Sequence, residues 1–126
     1  MQEIHQGDII IIDAEPHAGK EIGGHDPKQG NIRRPFIVLS NYNYNRLTHL
    51  VQVMPISHVH KESPLRLRII DYATKINGDV LTHQLPMYSF EARHGQVIGH
   101  LNDTAMLREL LRRTRNMFEE EWEVSK

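Results

Sequence analysis

The chain has 126 residues, a formal net charge of −1, 39% hydrophobic and 25% charged residues, and no cysteine. That is enough chain for one modest core, and it excludes a disordered composition, disulfide or thiolate chemistry, and the broad positive excess of a general nucleic-acid binder. The longest apolar run, Ile9–Ile12, is far too short to cross a membrane, and Met1–His5 lacks the basic region and apolar core of a signal peptide, so a cytoplasmic protein is expected.

Gly7-Asp8-Ile9-Ile10-Ile11-Ile12-Asp13 is a β-branched run between turn formers, which predicts a strand buried on both faces. From Ala14 to Arg33 the periodicity disappears among Pro16, Gly19, Gly23, Gly24, Pro27 and Gly30, and a loop this long in a small domain is expected to be functional. Within it, the stretch from Gly23 to Arg33 has only Ile32 as an apolar anchor. It is therefore expected to move, either opening and closing over a site at its ends or as a passive insertion in a surface loop. Pro35–Ser40 predicts a second strand with proline at its first position, and Ser40–Asn45 is turn chemistry.

Leu50–Ile56 predicts a third strand, ending in Pro55-Ile56-Ser57. Leu65, Leu67 and Ile69 alternate with Arg66 and Arg68, which predicts a half-buried strand with a basic outer face. Asn77-Gly78 is a strong hairpin-turn signal and leads into Asp79-Val80-Leu81. Short strands are expected over Met87–Glu91 and Gln96–His100. The period then changes: Met106, Leu107, Leu110, Leu111, Thr114, Met117, Phe118 and Trp122 recur at helical spacing behind the N-cap signal Asn102-Asp103. Glu119-Glu120-Glu121 places like charges at the negative end of that helix, so its last turn is expected to fray. Short strands at regular spacing with one terminal helix predict a mainly β fold, a small closed barrel with a C-terminal α-helix packed on it. A single domain over residues 1–126 follows, with the barrel over about 5–101 and the helix over about 103–121.

Gly7-Asp8-Ile9, then Glu15-Pro16-His17-Ala18-Gly19-Lys20-Glu21, then Arg34-Pro35-Phe36-Ile37-Val38-Leu39-Ser40, resembles the MazF/PemK signature of type II toxin–antitoxin toxins. Tyr44-Asn45 is similar to the Tyr-Asn that often follows, Pro55-Ile56-Ser57 to the family's Pro-apolar-Thr/Ser, and Gln84 to a family glutamine. Two departures stand out: Ser57 replaces the common threonine, keeping the hydroxyl, and the stretch between Gly24 and Arg34 is longer than usual. The resemblance implies an SH3-like barrel of the CcdB/PemK type, a homodimer, cleavage of single-stranded RNA, and inhibition by a cognate antitoxin. It implies no cofactor.

Metal-free RNA cleavage needs a base for the ribose 2′-hydroxyl, fixed donors for the phosphorane, and an acid for the leaving 5′-oxygen. Arg34 suits the second role, since its planar fork holds two phosphate oxygens at any working pH. Arg33 would point to the opposite face. Ser57 could donate to a phosphate oxygen or serve as a strand-end turn serine. Glu21 is the base that the family match suggests; His17 and His58 flank the same motifs as alternative acids or bases. Lys20, Tyr44, His58 and Gln84 are candidate RNA contacts together with His17. Tyr42 and Tyr44 could stack on bases or pack on the barrel, and Arg66 and Arg68 could guide RNA or an acidic antitoxin or form a solvated face. His58-Val59-His60 puts two histidines on one strand face, without a third ligand in sequence reach, so no metal site is expected. Two other functions fit the same architecture: a CcdB-like gyrase poison and a non-catalytic RNA-binding barrel.

Overall fold

The computed structural model describes residues 2–14 and 33–121. The elements run β1 (Asp8–Asp13), β2 (Arg33–Val38), α1 (Tyr42–Thr48), β3 (Leu50–Ser57), β4 (Arg66–Asp71), β5 (Ile76–Leu81), β6 (Met87–Ser89), β7 (Gln96–His100) and α2 (Thr104–Asn116). The strands form one curled antiparallel sheet in the order β4-β5-β3-β2-β1-β7, and β6 pairs with β3 beside this path. β3 serves two neighbours on one side: Leu50–Gln52 pair with β6, and Ile56–Ser57 pair with β5. Among the described residues no pairing joins β7 to β4, so the sheet is a half-barrel and not a fully closed one.

The period-2 alternation explains why β1, β2 and β3 are apolar on both faces. Ile10, Ile12, Phe36, Val38, Val51 and Val53 point into one core with Ile4 and Phe90. Ile9, Ile37, Met54 and Ile56 point into the other, where Ile69, Val80 and Leu110 of α2 join them. β1 is thus buried on both sides, as its uninterrupted isoleucines require. Asp103 caps α2, its side chain accepting from the Met106 N–H at 3.0 Å.

Four local readings of the sequence need correction. Ser40–Asn45 is not a plain turn: Asn41 caps α1 by accepting from the Tyr44 N–H at 2.9 Å, and buried Asn45 donates to the Ile4 carbonyl at 3.0 Å. The asparagines that look like turn formers therefore build a cap and a core clamp. Asn77-Gly78 is not the hairpin turn; both residues lie inside β5, and the turn is Tyr72–Lys75, closed by the Lys75 N–H on the Tyr72 carbonyl at 3.3 Å. A Cβ on Gly78 would stand 1.8 Å from the Ser57 carbonyl oxygen, so glycine is present for close backbone approach, not for turning. Leu65 precedes β4 and is 51% exposed, not part of the inward row. Finally, α2 ends at Asn116, short of 121, with Met117 and Phe118 beyond it and exposed. No helix among the described residues is long and apolar enough to cross a membrane.

Candidate active site

The ladder between β2 and β3 begins at Phe36↔Pro55 and continues through Ile37↔Met54 and Val38↔Val53. Each pair sums to the same register, so two residues further toward the open end Arg34 stands across from Ser57. Pro35 and Pro55 supply no N–H to a ladder, and pairing stops at their level. Beyond that point lies a cleft of about 190 Å³, lined by Arg34, Pro35, Ile56, Ser57, His58, Lys75, Ile76 and Asn77. Pro35, Ile56 and Ile76 make an apolar floor, and the rest supply donors. Arg34 is half-buried, with its Nε out of solvent.

Ser57 ends β3, and its hydroxyl oxygen accepts from the Val59 N–H at 3.2 Å. Its own proton reaches the Val59 carbonyl only at 3.4 Å. Ser57 thus holds the turn after β3 as an acceptor, and its O–H is only weakly engaged. β5 runs alongside, with Ser57↔Asp79 and Ile56↔Val80 in register.

Asp79 has no exposed surface and organises the wall behind Ser57. It accepts from the Lys61 N–H at 2.8 Å and from Arg66 Nη1 at 3.2 Å, and His60 Nδ1 lies 2.7 Å away. Burial pushes its carboxyl up, but the bonds from His60, Lys61 and Arg66 outweigh that and hold it below the usual carboxylate range. His60 is shifted upward, first by Asp79 and then by Glu62. Arg66 is therefore tied into the fold through Asp79, and Arg68 donates to Asn77 Oδ1 at 2.9 Å. His58 and His60 do not share a strand face either: both follow the end of β3, and only His58 reaches the cleft. No group of three metal-binding side chains occurs among the described residues.

Arg33 faces away from Arg34, as alternation predicts. It donates to Asp13 Oδ1 at 2.9 Å and to the His94 carbonyl at 2.7 Å, pinning the 90–95 turn to β1. His94 Nδ1 also approaches Asp13 at 2.8 Å, and His94 followed by Arg33 lowers the Asp13 carboxyl. Of the other candidates, Tyr44 sits on α1 with its hydroxyl on Met87 Sδ at 3.6 Å. Gln84 follows β5, which carries the chain roughly 17 Å from Ile76 to Leu81 at strand rise. Neither lines the cleft. Glu21, His17 and Lys20, and the stretch from Gly23 to Ile32, lie outside the described residues. The sequence marks Asn77 only as a turn residue and does not mark Lys75; the apolar Ile76 is the one signal that a strand has already begun.

Residues 5–118 match the family model of the PemK-like, MazF-like toxins of type II toxin–antitoxin systems. The chain belongs to this family. Among solved structures, MazF from Deinococcus radiodurans is similar at a TM-score of 0.72 and 25% identity, over 88% of this chain and 94% of that one. A chain of the MazE–MazF complex from the same organism gives 0.67 at 21% identity, over 93% of each chain. A mycobacterial endoribonuclease in complex with its cognate antitoxin gives 0.63 at 15% identity, over 95% of this chain and 99% of that one. At the two lower identities the likeness is one of fold. No curated protein matches the sequence significantly.

Membership divides the signature into two physical parts. Gly7 and Asp8 belong to the fold: Gly7 sits at φ +93°, and Asp8 accepts from the His5 N–H and lies against His100 Nδ1, each at 2.8 Å. Arg34-Pro35 and Ile56-Ser57 instead meet at the open end of the β2–β3 ladder.

Proposed function

We propose that this MazF/PemK-like toxin is a metal-independent, sequence-selective endoribonuclease acting on single-stranded RNA. The observation that carries the reading is that Arg34 and Ser57, distant in sequence, share one cleft free of acidic lining residues among those described. In the reaction, a base takes the proton of the ribose 2′-hydroxyl and O2′ attacks phosphorus. The phosphorane gains charge on its equatorial oxygens, which Arg34 and the Ser57 hydroxyl stabilise. The bond from phosphorus to O5′ then breaks and an acid protonates O5′. The products are a 2′,3′-cyclic phosphate and a 5′-hydroxyl. Glu21 is the proposed base, with His58 and His17 as alternative partners in proton transfer. The apolar floor of Pro35, Ile56 and Ile76 excludes water from one side and strengthens the arginine's field.

The functional unit is proposed to be a homodimer in the cytoplasm, inhibited by an antitoxin whose acidic segment folds on binding. A gyrase poison or a passive RNA-binding barrel would need no such arginine–hydroxyl pair. Incubation of the purified protein with a long RNA in EDTA, followed by end analysis of the fragments, tests the reading. Discrete cuts with cyclic-phosphate and 5′-hydroxyl ends are expected. A requirement for magnesium, or 5′-phosphate ends, would overturn the mechanism, and intact RNA would overturn the enzyme.

A further inference from the structure

Most cations near the open end of the sheet are already committed. Arg66 is bound to Asp79, Arg68 to Asn77, and Arg33 to Asp13. Lys75 differs: it is exposed, it lines the cleft, and its ammonium forms no hydrogen bond or ion pair with a described residue. Its backbone is also unusual. Lys75 closes the β4–β5 hairpin at φ +61°, in the left-handed region where glycine or asparagine is the ordinary occupant. A lysine there forgoes stability that glycine would supply, and nothing among the described side chains compensates for it.

The sheet order places β3 between β2 and β5, so Arg34 and the β5 end of the hairpin flank Ser57 from either side. Arg34 is level with Ser57 and Asp79, and Lys75 lies four residues from Asp79 along the chain, so their backbones are roughly 16 Å apart, a span that two long side chains reaching into one cleft reduce to the spacing of adjacent phosphates. We propose that Lys75 holds the phosphate next to the one at Arg34 and Ser57, making the β4–β5 hairpin the second anchor of the RNA backbone. Asn77, whose carboxamide oxygen accepts from Arg68, lines the same cleft. This rests on the endoribonuclease reading and deepens it. Lys75 is a positioning residue: its ammonium neutralises a phosphate and reads no base, so its loss weakens all RNA sequences alike.

The test uses a short single-stranded RNA spanning a mapped cut site, with 2′-deoxyribose at the scissile nucleotide to block chemistry. Binding is titrated against salt for the wild type, Lys75→Gly and Lys75→Gln, and thermal midpoints are recorded. Both variants should bind more weakly, and the slope of log affinity against log salt should fall by about 0.7, the loss of one phosphate contact on a single strand. Lys75→Gly should melt no lower than the wild type, and the cut sites on long RNA should not change. An unchanged salt slope with wild-type RNA binding intact would overturn the Lys75 anchor alone. A lower melting point of Lys75→Gly with normal binding would make Lys75 structural. Failure of the wild type to bind or cut RNA would overturn the endoribonuclease reading beneath it.

Discussion

Arg34 lines the cleft at the point where the β2–β3 ladder ends, and the proposed mechanism makes it the donor to the phosphorane. Removing a preorganised donor to a developing oxyanion costs about 10²-fold or more in rate. Arg34→Ala is therefore expected to lower cleavage by that order while leaving the melting point close to the wild type, and single-turnover rates on a mapped RNA check it. Ser57→Ala should cost less in rate, since a hydroxyl is neutral, and should loosen the 58–65 segment by removing the acceptor for the Val59 N–H. Equal losses in the two variants would contradict this division of roles. Arg34 and Ser57 are singled out in the sequence by the motifs Arg34-Pro35 and Pro55-Ile56-Ser57. Lys75 is not, because nothing in a lone lysine marks the backbone that presents it, and Asp79 is not, because its partners His60, Lys61 and Arg66 come from other segments.

At the scale of elements, the apolar periodicity located β1, β2, β3 and α2, whose burial follows from alternation or helical spacing. It failed where polar residues serve tertiary packing. Asn41 and Asn45 have the composition of a turn but build a helix cap and a buried clamp, and Asn77-Gly78 has the composition of a hairpin but lies within β5. The second case gives a prediction. Gly78→Ala would bring a Cβ into the Ser57 carbonyl, and such overpacking costs about 1–3 kcal/mol. Denaturant unfolding should show the loss, and cleavage should fall because Ser57 is displaced. The segment after β3 gives another. His60 is raised above 6.5, so its contribution to stability is complete below that pH and is lost as pH rises through the higher folded value. Asp79 is lowered below 3.8, so its contribution is present above that pH and is lost as pH falls through the lower folded value. Between these limits the link is intact. Melting should therefore weaken as pH rises above about 6.5 and through the raised value of His60, and less so in His60→Gln. Every other side chain is common to the two proteins, so the difference between them isolates His60.

The whole molecule leaves apolar surface that one copy does not cover. Leu47 and Phe118 are 71% exposed, Tyr72 is 89% exposed, and Ile70 is half exposed on β4. β4 ends the sheet path, and among the described residues only β5 pairs with it, so one of its edges has no ladder partner. Exposed edges and apolar side chains favour association, and a small half-barrel with two short helices has little core to spare. Two-fold pairing is the commonest way to cover such surface, because one self-complementary patch serves both copies. A homodimer at micromolar concentration is therefore expected by sedimentation. Since the dimer forms only from folded chains, mass action makes the melting point rise with protein concentration. Arg34→Ala should leave that dependence unchanged, because the arginine lies in the cleft and not in the pairing surface this argument requires. A monomer that still cleaves RNA, with a melting point independent of concentration, would show that the half-barrel is sufficient alone and that its exposed apolar residues have another partner.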